Sequence, residues 1–377
     1  MNPTRAPELL DRFARFARHR LTRREVSAHE LGPLALFFDR YGLATADAEL
    51  IKLAKELAGY VEFATESMPL QSLATARAPL VSLVALAGMG RRLRRDHPWR
   101  LKVSEAVRAT MARPGAYELM GGVLCWGVAA RAMDWECPEV EEALRAHLRE
   151  VEGLRAVVAH PPHDPWKGAR PEAPPAVNLG VSHGMLGPFI YALRYGAADI
   201  SAEMLPALLM AVAEADPLRF PSYWPRPDTA MGHHNLAWCY GSPMAGMGLL
   251  LYHAVRPGDP LAARARKEGL RLLEGGLFSP TYRPPAGMDA HVCHGRAGLA
   301  LMALRASRLA GDSAGRPRAF ELLGNLDDDP VLWVDPEQRH LLGGSWSLLN
   351  SPLGTAMVLL SLTAEDDGAW DRILLTS

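Results

Sequence analysis

Three short segments of this sequence bring thiols, imidazoles and a phenol next to glycine. They are Ser182-His183-Gly184, Trp238-Cys239-Tyr240-Gly241 and Cys293-His294-Gly295. Cys293 and His294 can offer one sulfur and one nitrogen to a metal ion, and Cys239 can offer a second sulfur. Three protein ligands leave the fourth tetrahedral position open, as in catalytic zinc sites. Because thiolates are soft ligands, this set favours zinc over magnesium or calcium.

The three segments are copies of one repeated element, a turn of small residues that leads directly into an apolar helix. Successive turns are 46 to 62 residues apart, which leaves room for two helices and their loops. The aligned turn positions are Ala76, Gly122, Gly184, Gly241, Gly295 and Ser351. If the helices that follow these turns all start at the same end of a bundle, the ligand candidates meet at one mouth.

The helices that follow the turns are apolar all round, whereas the helices between them are amphipathic. The first pattern is typical of inner helices and the second of outer helices. The last copy is as apolar as the middle ones and lacks the polar cap that an open solenoid needs. We therefore predict an all-α fold, an α/α toroid of about six helix pairs over residues 46–377. Residues 1–45 are predicted to form a helical segment packed on this barrel.

Composition limits the classes of function. The 377 residues carry a net charge of −1, which gives no basis for binding nucleic acid. The longest apolar runs are too short to span a bilayer and no signal peptide is recognisable, so a cytoplasmic protein is expected. Four cysteines in so long a chain are no disulfide framework. Of these, Cys125 and Cys137 are predicted to be small core residues.

The motifs Asn178–Gly184, Trp238–Gly241 and Cys293–Gly298 resemble the three signature motifs of the lanthionine synthetase C-like family. The ending, from Trp346 to Trp370-Asp371, resembles its C-terminal repeat, and the resemblance covers roughly residues 70 to 377. It implies an α/α toroid with one zinc ion held by two cysteines and one histidine. By position these ligands are Cys239, Cys293 and His294.

The resemblance also implies an activity, that of a lanthipeptide cyclase. Such an enzyme adds cysteine thiols of a dehydrated precursor peptide to dehydroalanine or dehydrobutyrine and closes thioether rings. His183 matches the family residue that acts as acid or base. Tyr240 is expected to orient the thiol or stabilise charge; the alternative is that it only packs against the barrel. The implied partners are the precursor peptide with its leader, a separate dehydratase and an exporter complex.

Two positions depart from the family pattern. The bacterial enzymes commonly have an arginine four residues before the first zinc cysteine, where this sequence has Asn235. We hypothesise that the preceding His233 or His234 supplies the missing positive charge; the alternative is that both are exposed loop residues. The family also has an aspartate in the second repeat turn, where this sequence has Glu118. Asn235 and Glu118 are therefore included among the candidate catalytic residues.

Two other functions remain open at this point. One is a zinc-containing peptide-binding scaffold that assists a modification enzyme without closing rings, which the missing arginine favours. The other is addition of glutathione to dehydrated residues, as in the eukaryote-like branch of the family. The Trp-Cys-Tyr-Gly motif favours the bacterial branch instead. The segment Pro161–Pro175 is a candidate contact for the leader peptide, with an ordinary surface loop as the alternative.

Overall fold

The computed structural model describes most of the chain. The described residues are 3–26, 28–67, 78–91, 104–105, 107–110, 117–119, 122–158, 163–164, 168–169, 177–213, 215–225, 236–326, 348–364 and 370–376. Asn235, His233, His234 and Trp346 lie outside them, as does most of Pro161–Pro175.

The main elements are α-helices. In chain order they are α1 (Ala6–Thr22), α2 (Ala28–Thr45), α3 (Ala48–Ser67), α4 (Ala78–Gly88), α5 (Val123–Ala132), α6 (Pro138–His147), α7 (Leu186–Arg194), α8 (Ala198–Ala213), α9 (Ser242–Val255), α10 (Ala262–Gly275), α11 (Arg296–Ala310), α12 (Gly315–Leu323) and α13 (Pro352–Thr363). Short 3-10 helices cover Pro3–Arg5 and Trp370–Leu374. In the parts of the chain that the structure describes, no helix has the length and hydropathy to cross a membrane.

Short strands pair into small antiparallel sheets. The strands are β1 (Leu148–Val151), β2 (Leu154–Val157), β3 (His163–Asp164), β4 (Gly168–Ala169), β5 (Val177–Asn178) and β6 (Tyr223–Trp224). They pair as β1 with β2, β3 with β4 and β5 with β6. The last pair sets Asn178 opposite Tyr223 and so joins two distant segments near the start of α7.

Seven inner helices form a closed ring within the described residues. In order they are α2, α4, α5, α7, α9, α11 and α13, and α13 packs back against α2. This confirms the predicted all-α toroid. The repeat pattern identified six of the seven, and α2 is the addition. It packs between α13 and α4, with Leu34–Phe38 fully buried. The division of the chain at residue 45 stays a prediction.

Inner and outer helices differ as the sequence pattern predicts. The first eleven residues of α9, Ser242–Tyr252, are buried without a break because this helix has neighbours on all sides. In its outer partner α10 the buried positions recur at helical spacing, and they are Ala262, Ala265, Gly269, Leu272 and Leu273. Such a stripe buries one face and leaves the charged face in water. The outer helices α3, α6, α8, α10 and α12 pack on the inner helices that precede them, and α1 packs on α13.

Backbone hydrogen bonds tie the repeat turns to each other at one end of the ring. Leu119 N–H donates to Ser182 O (3.1 Å), Val181 N–H to Cys239 O (2.9 Å) and Val292 N–H to Leu349 O (3.1 Å). The three donors occupy the same place in their turns, and so do the three acceptors. Residues separated by more than 50 positions in sequence are thereby held side by side at the mouth.

Candidate functional site

The donor atoms of Cys239, Cys293 and His294 form a compact cluster at the mouth of the ring. Their two sulfurs and one imidazole nitrogen all lie within 4.8 Å of one another. Cys293 Sγ is 3.7 Å from His294 Nε2. Both cysteines are buried, and the histidine is exposed. Among the described residues, these three side chains form a group that could hold a metal ion.

The backbone of two adjacent repeats sets the positions of these ligands. Cys239 lies in a tight turn before α9, closed by the N–H of Ala237 donating to Tyr240 O at 3.0 Å. The N–H of Cys293 donates to Leu349 O at 3.0 Å, which fixes the turn before α11. Cys239 and Cys293 therefore occupy the same place in consecutive turns. Each lies two residues before the glycine that caps the N-terminus of the following helix.

The cluster fits a zinc ion. Tetrahedral zinc with Zn–S bonds near 2.3 Å and Zn–N bonds near 2.0 Å separates its ligand atoms by about 3.5–3.8 Å. The sulfur–nitrogen distance of 3.7 Å is already in that range. The hydrogen bond with Cys239, together with burial, raises the pKa of Cys293 well above the usual range of a thiol. A bound cation reverses this preference because it coordinates the thiolate form.

His183, in the turn next to that of Cys239, forms a pair with Glu118. Its Nδ1 lies 2.9 Å from Glu118 Oε2. A carboxylate accepts hydrogen bonds, so Nδ1 carries the proton and Nε2 is left free for other chemistry. The phenol of Tyr117 donates to the backbone oxygen of His183 at 3.4 Å. Because Val181 N–H bonds Cys239 O, the His183 turn lies directly against the turn of a metal-ligand candidate.

Tyr240 follows Cys239 and is bound by a side chain from another repeat. Asn178 Nδ2 donates to its phenol oxygen at 2.8 Å and lies 3.5 Å from the phenol oxygen of Tyr223. Burial raises the pKa of Tyr240, so the phenol keeps its proton at neutral pH. The motif pattern predicted Tyr240 but not its hydrogen bond with Asn178.

The structure brings most of the predicted site residues together. Cys239, Cys293 and His294 form the ligand cluster, and Glu118 and His183 form a hydrogen-bonded pair in the neighbouring turns. Asn235 lies outside the described residues, so its catalytic role stays a prediction. The sequence did not predict Tyr223 as a site residue. Tyr223 lies in a proline-rich segment, and only the pairing of β5 with β6 brings it near Asn178.

Comparison with known proteins agrees with this fold. A family model described as lanthionine synthetase C-like protein matches residues 33–375. The chain belongs to the lanthionine synthetase C-like family. Among solved structures, nisin cyclase matches with a TM-score of 0.64 and 14% sequence identity, over 98% of this chain and 97% of that chain. No curated protein matches by sequence. At this identity the structural match speaks for the fold alone.

Proposed function

We propose that this protein is a zinc-dependent lanthipeptide cyclase that acts on a dehydrated precursor peptide. The observation that carries the proposal is the hydrogen bond from Val181 N–H to Cys239 O, 2.9 Å long. It holds the turn of His183, whose side chain pairs with Glu118, against the turn of the ligand candidate Cys239. Addition of a thiol to an alkene needs an activated thiol and a proton donor. Membership of the lanthionine synthetase C-like family supports the same assignment.

Zinc held by Cys239, Cys293 and His294 would supply a Lewis acid that lowers the pKa of a substrate thiol, so that the nucleophile is available at neutral pH. The protein's own side chains provide the positions. The buried sulfurs of Cys239 and Cys293 would hold the ion from two repeats. The exposed imidazole of His294 would be the third ligand, and zinc with three protein ligands keeps a fourth position for a substrate.

His183 is assigned to proton transfer. In the addition, the substrate sulfur forms a bond to the β-carbon of the dehydrated residue and the π electrons move to the carbonyl oxygen. The α-carbon must then gain a proton, while the thiol has lost one, so the reaction needs no oxidant and no net proton. Glu118 occupies Nδ1 of His183, so Nε2 can take up the proton that the thiol loses and then give it to the α-carbon.

The partners and compartment belong to the same proposal. A precursor peptide with its leader is the substrate, and a separate dehydratase must supply the dehydrated residues. An exporter complex is a further candidate partner. All four cysteines are free thiols, which suits a reducing cytoplasm.

One assay separates this function from the scaffold and glutathione alternatives. The zinc-loaded protein is incubated with a synthetic peptide that carries one dehydroalanine and one cysteine, and free thiols and peptide mass are followed. A cyclase consumes the peptide thiol without changing the mass. In a second reaction, a peptide without cysteine is offered together with glutathione, and a gain of one glutathione would indicate the other activity. A scaffold leaves both peptides unchanged.

A further inference from the structure

The amide of Asn178 has its orientation fixed by the backbone around it. The N–H of Gly180 donates to Asn178 Oδ1 at 2.8 Å, and a backbone N–H can only donate. The oxygen of the amide therefore faces Gly180, and its NH₂ group faces Tyr240 at 2.8 Å. The backbone oxygen of Asn178 also accepts from Met185 N–H at 2.7 Å, which holds the residue at the start of α7.

Gly180 and Gly184 have no side chains, and this leaves room for the Tyr240 ring and the Asn178 amide. A Cβ on Gly180 would lie 2.7 Å from Cε1 of Tyr240, so the phenol ring rests directly on the backbone of this turn. A Cβ on Gly184 would collide with both Asn178 O and Asn178 Oδ1. The ring of Tyr240 and the amide of Asn178 are thus packed from several sides and hold one relative geometry.

The turn before α11 contains a counterpart that carries a carboxylate instead. Asp289 precedes Gly295 by the same number of residues as Asn178 precedes Gly184. The N–H of His291 donates to Asp289 Oδ1 at 2.9 Å, and the N–H of Arg296 donates to Asp289 O at 2.9 Å. An aspartate therefore builds the same turn. The turn itself does not require an amide, and what the amide adds at position 178 is an N–H donor.

The direction of hydrogen bonding decides what Tyr240 can do. A phenol oxygen that accepts from an amide N–H keeps its own O–H for another acceptor. A carboxylate in the same place would take that proton instead. We infer that Asn178 is a positioning residue that frees the O–H of Tyr240 to donate to the substrate, at the carbonyl oxygen that becomes an enolate. This inference rests on the proposed cyclase function, and the donor role is that of one oxyanion-stabilising group.

The decisive variant is Asn178→Asp, which keeps the turn and reverses the hydrogen bond to Tyr240. It is expected to lower kcat by about 10²-fold, the loss typical of one oxyanion donor, with little change in KM. In a Tyr240→Phe background the same change is expected to have almost no further effect, because no phenol proton remains to be captured. An equal loss in both backgrounds would show that the added charge or the fold is responsible and would overturn the inference.

A second measurement does not depend on activity. The Cζ resonance of Tyr240 is observed with ¹³C-labelled tyrosine and assigned by its absence in Tyr240→Phe. It is expected to shift in Asn178→Asp and to stay in place in Asp289→Asn, the matched change in the other turn. An unmoved resonance in Asn178→Asp contradicts the hydrogen-bond reversal whatever the activity. A shifted resonance in a protein that closes no rings would instead remove the proposed function and the substrate role of Tyr240 with it.

Discussion

The indole Nε1 of Trp238 donates a hydrogen bond to the backbone oxygen of Leu374, at 2.9 Å. Trp238 is the residue before the ligand candidate Cys239, and Leu374 ends the C-terminal 3-10 helix. That 3-10 helix packs against α4 and α5. The turn that carries one metal-ligand candidate is therefore supported by the last residues of the chain.

The C-terminal segment is itself held by a buried ion pair, which gives a prediction for stability. Arg305 Nε lies 2.7 Å from Asp371 Oδ2, and the two side chains are 3% and 0% exposed. Asp371→Asn would remove the carboxylate charge that pairs with this guanidinium in the core. Breaking a buried pair in this way typically costs about 3–5 kcal/mol. We expect a loss of this size in the free energy of unfolding, measured by urea denaturation with zinc present.

Glu203→Gln is the matched control for that variant. Glu203 pairs with Arg145 and Arg155 at 3.7 and 3.5 Å, but all three side chains are at least 40% exposed. Exposed pairs of this kind contribute about 0–1 kcal/mol. If Asp371→Asn were no more destabilising than Glu203→Gln, the C-terminal segment would not be anchored by this pair.

The second prediction concerns the metal. Purified protein is expected to hold about one zinc ion per chain, and Cys239→Ala and Cys293→Ala are each expected to lose most of it, because two ligands bind far more weakly than three. Elemental analysis after dialysis against a weak chelator measures the content. Cys125→Ala is the control, since this buried thiol lies in α5 and is absent from the ligand cluster. Full zinc content in both ligand variants would contradict the assignment.

Much of the fold and the ligand cluster could be predicted from the sequence, and the reason is the repeat. A turn that recurs at similar intervals before apolar helices implies that those turns share one end of the ring. That places Cys239 next to Cys293 without any knowledge of their contacts. The repeat pattern did not identify helix α2 because the residues before it, Arg24–Ser27, are not a turn of small residues. Its His29 and Gly32 lie inside the helix, and its core residues are equally apolar.

Contacts between side chains of different repeats were the part that could not be predicted. The hydrogen bond of His183 with Glu118 joins residues 65 positions apart, and that of Asn178 with Tyr240 joins residues 62 apart. A repeat pattern gives the turn that each residue occupies but not the rotamer it adopts. Tyr223 had no signal at all, because the pairing of two-residue strands leaves no periodicity to detect.

The third prediction concerns the histidines that precede Asn235. If His233 or His234 supplies positive charge as imidazolium, that charge is present at low pH and is lost as pH rises through about 6.5. Cyclisation should then decline toward pH 8. The double change His233→Gln and His234→Gln should lower the rate at pH 6 and abolish the decline. His19→Gln, in the last turn of α1, is the control. An unchanged rate across this pH range in the double variant would leave Asn235 as the local donor.

The last prediction separates the roles of His183 and Glu118. His183→Ala is expected to keep its zinc and to lower kcat by about 10²–10⁴-fold, the contribution of a general acid or base. Glu118→Gln retains an oxygen that can accept from Nδ1 of His183, so it should keep most of the ring orientation and cost less than His183→Ala. Glu118→Ala removes that acceptor, so its loss of kcat should lie between the losses of Glu118→Gln and His183→Ala. In a His183→Ala background, Glu118→Ala should have little further effect, because the residue it positions is gone.

Zinc content and KM distinguish this ranking of kcat losses from a general loss of structure. Both should stay close to the wild-type values in all three variants, since neither residue belongs to the ligand cluster. His253→Ala, in the last turn of α9 and thus at the opposite end of that helix from Cys239, is the control for loss of an imidazole. Loss of zinc in His183→Ala would make His183 a metal ligand. Additive losses in the double variant would mean that Glu118 acts on the substrate directly and not through His183.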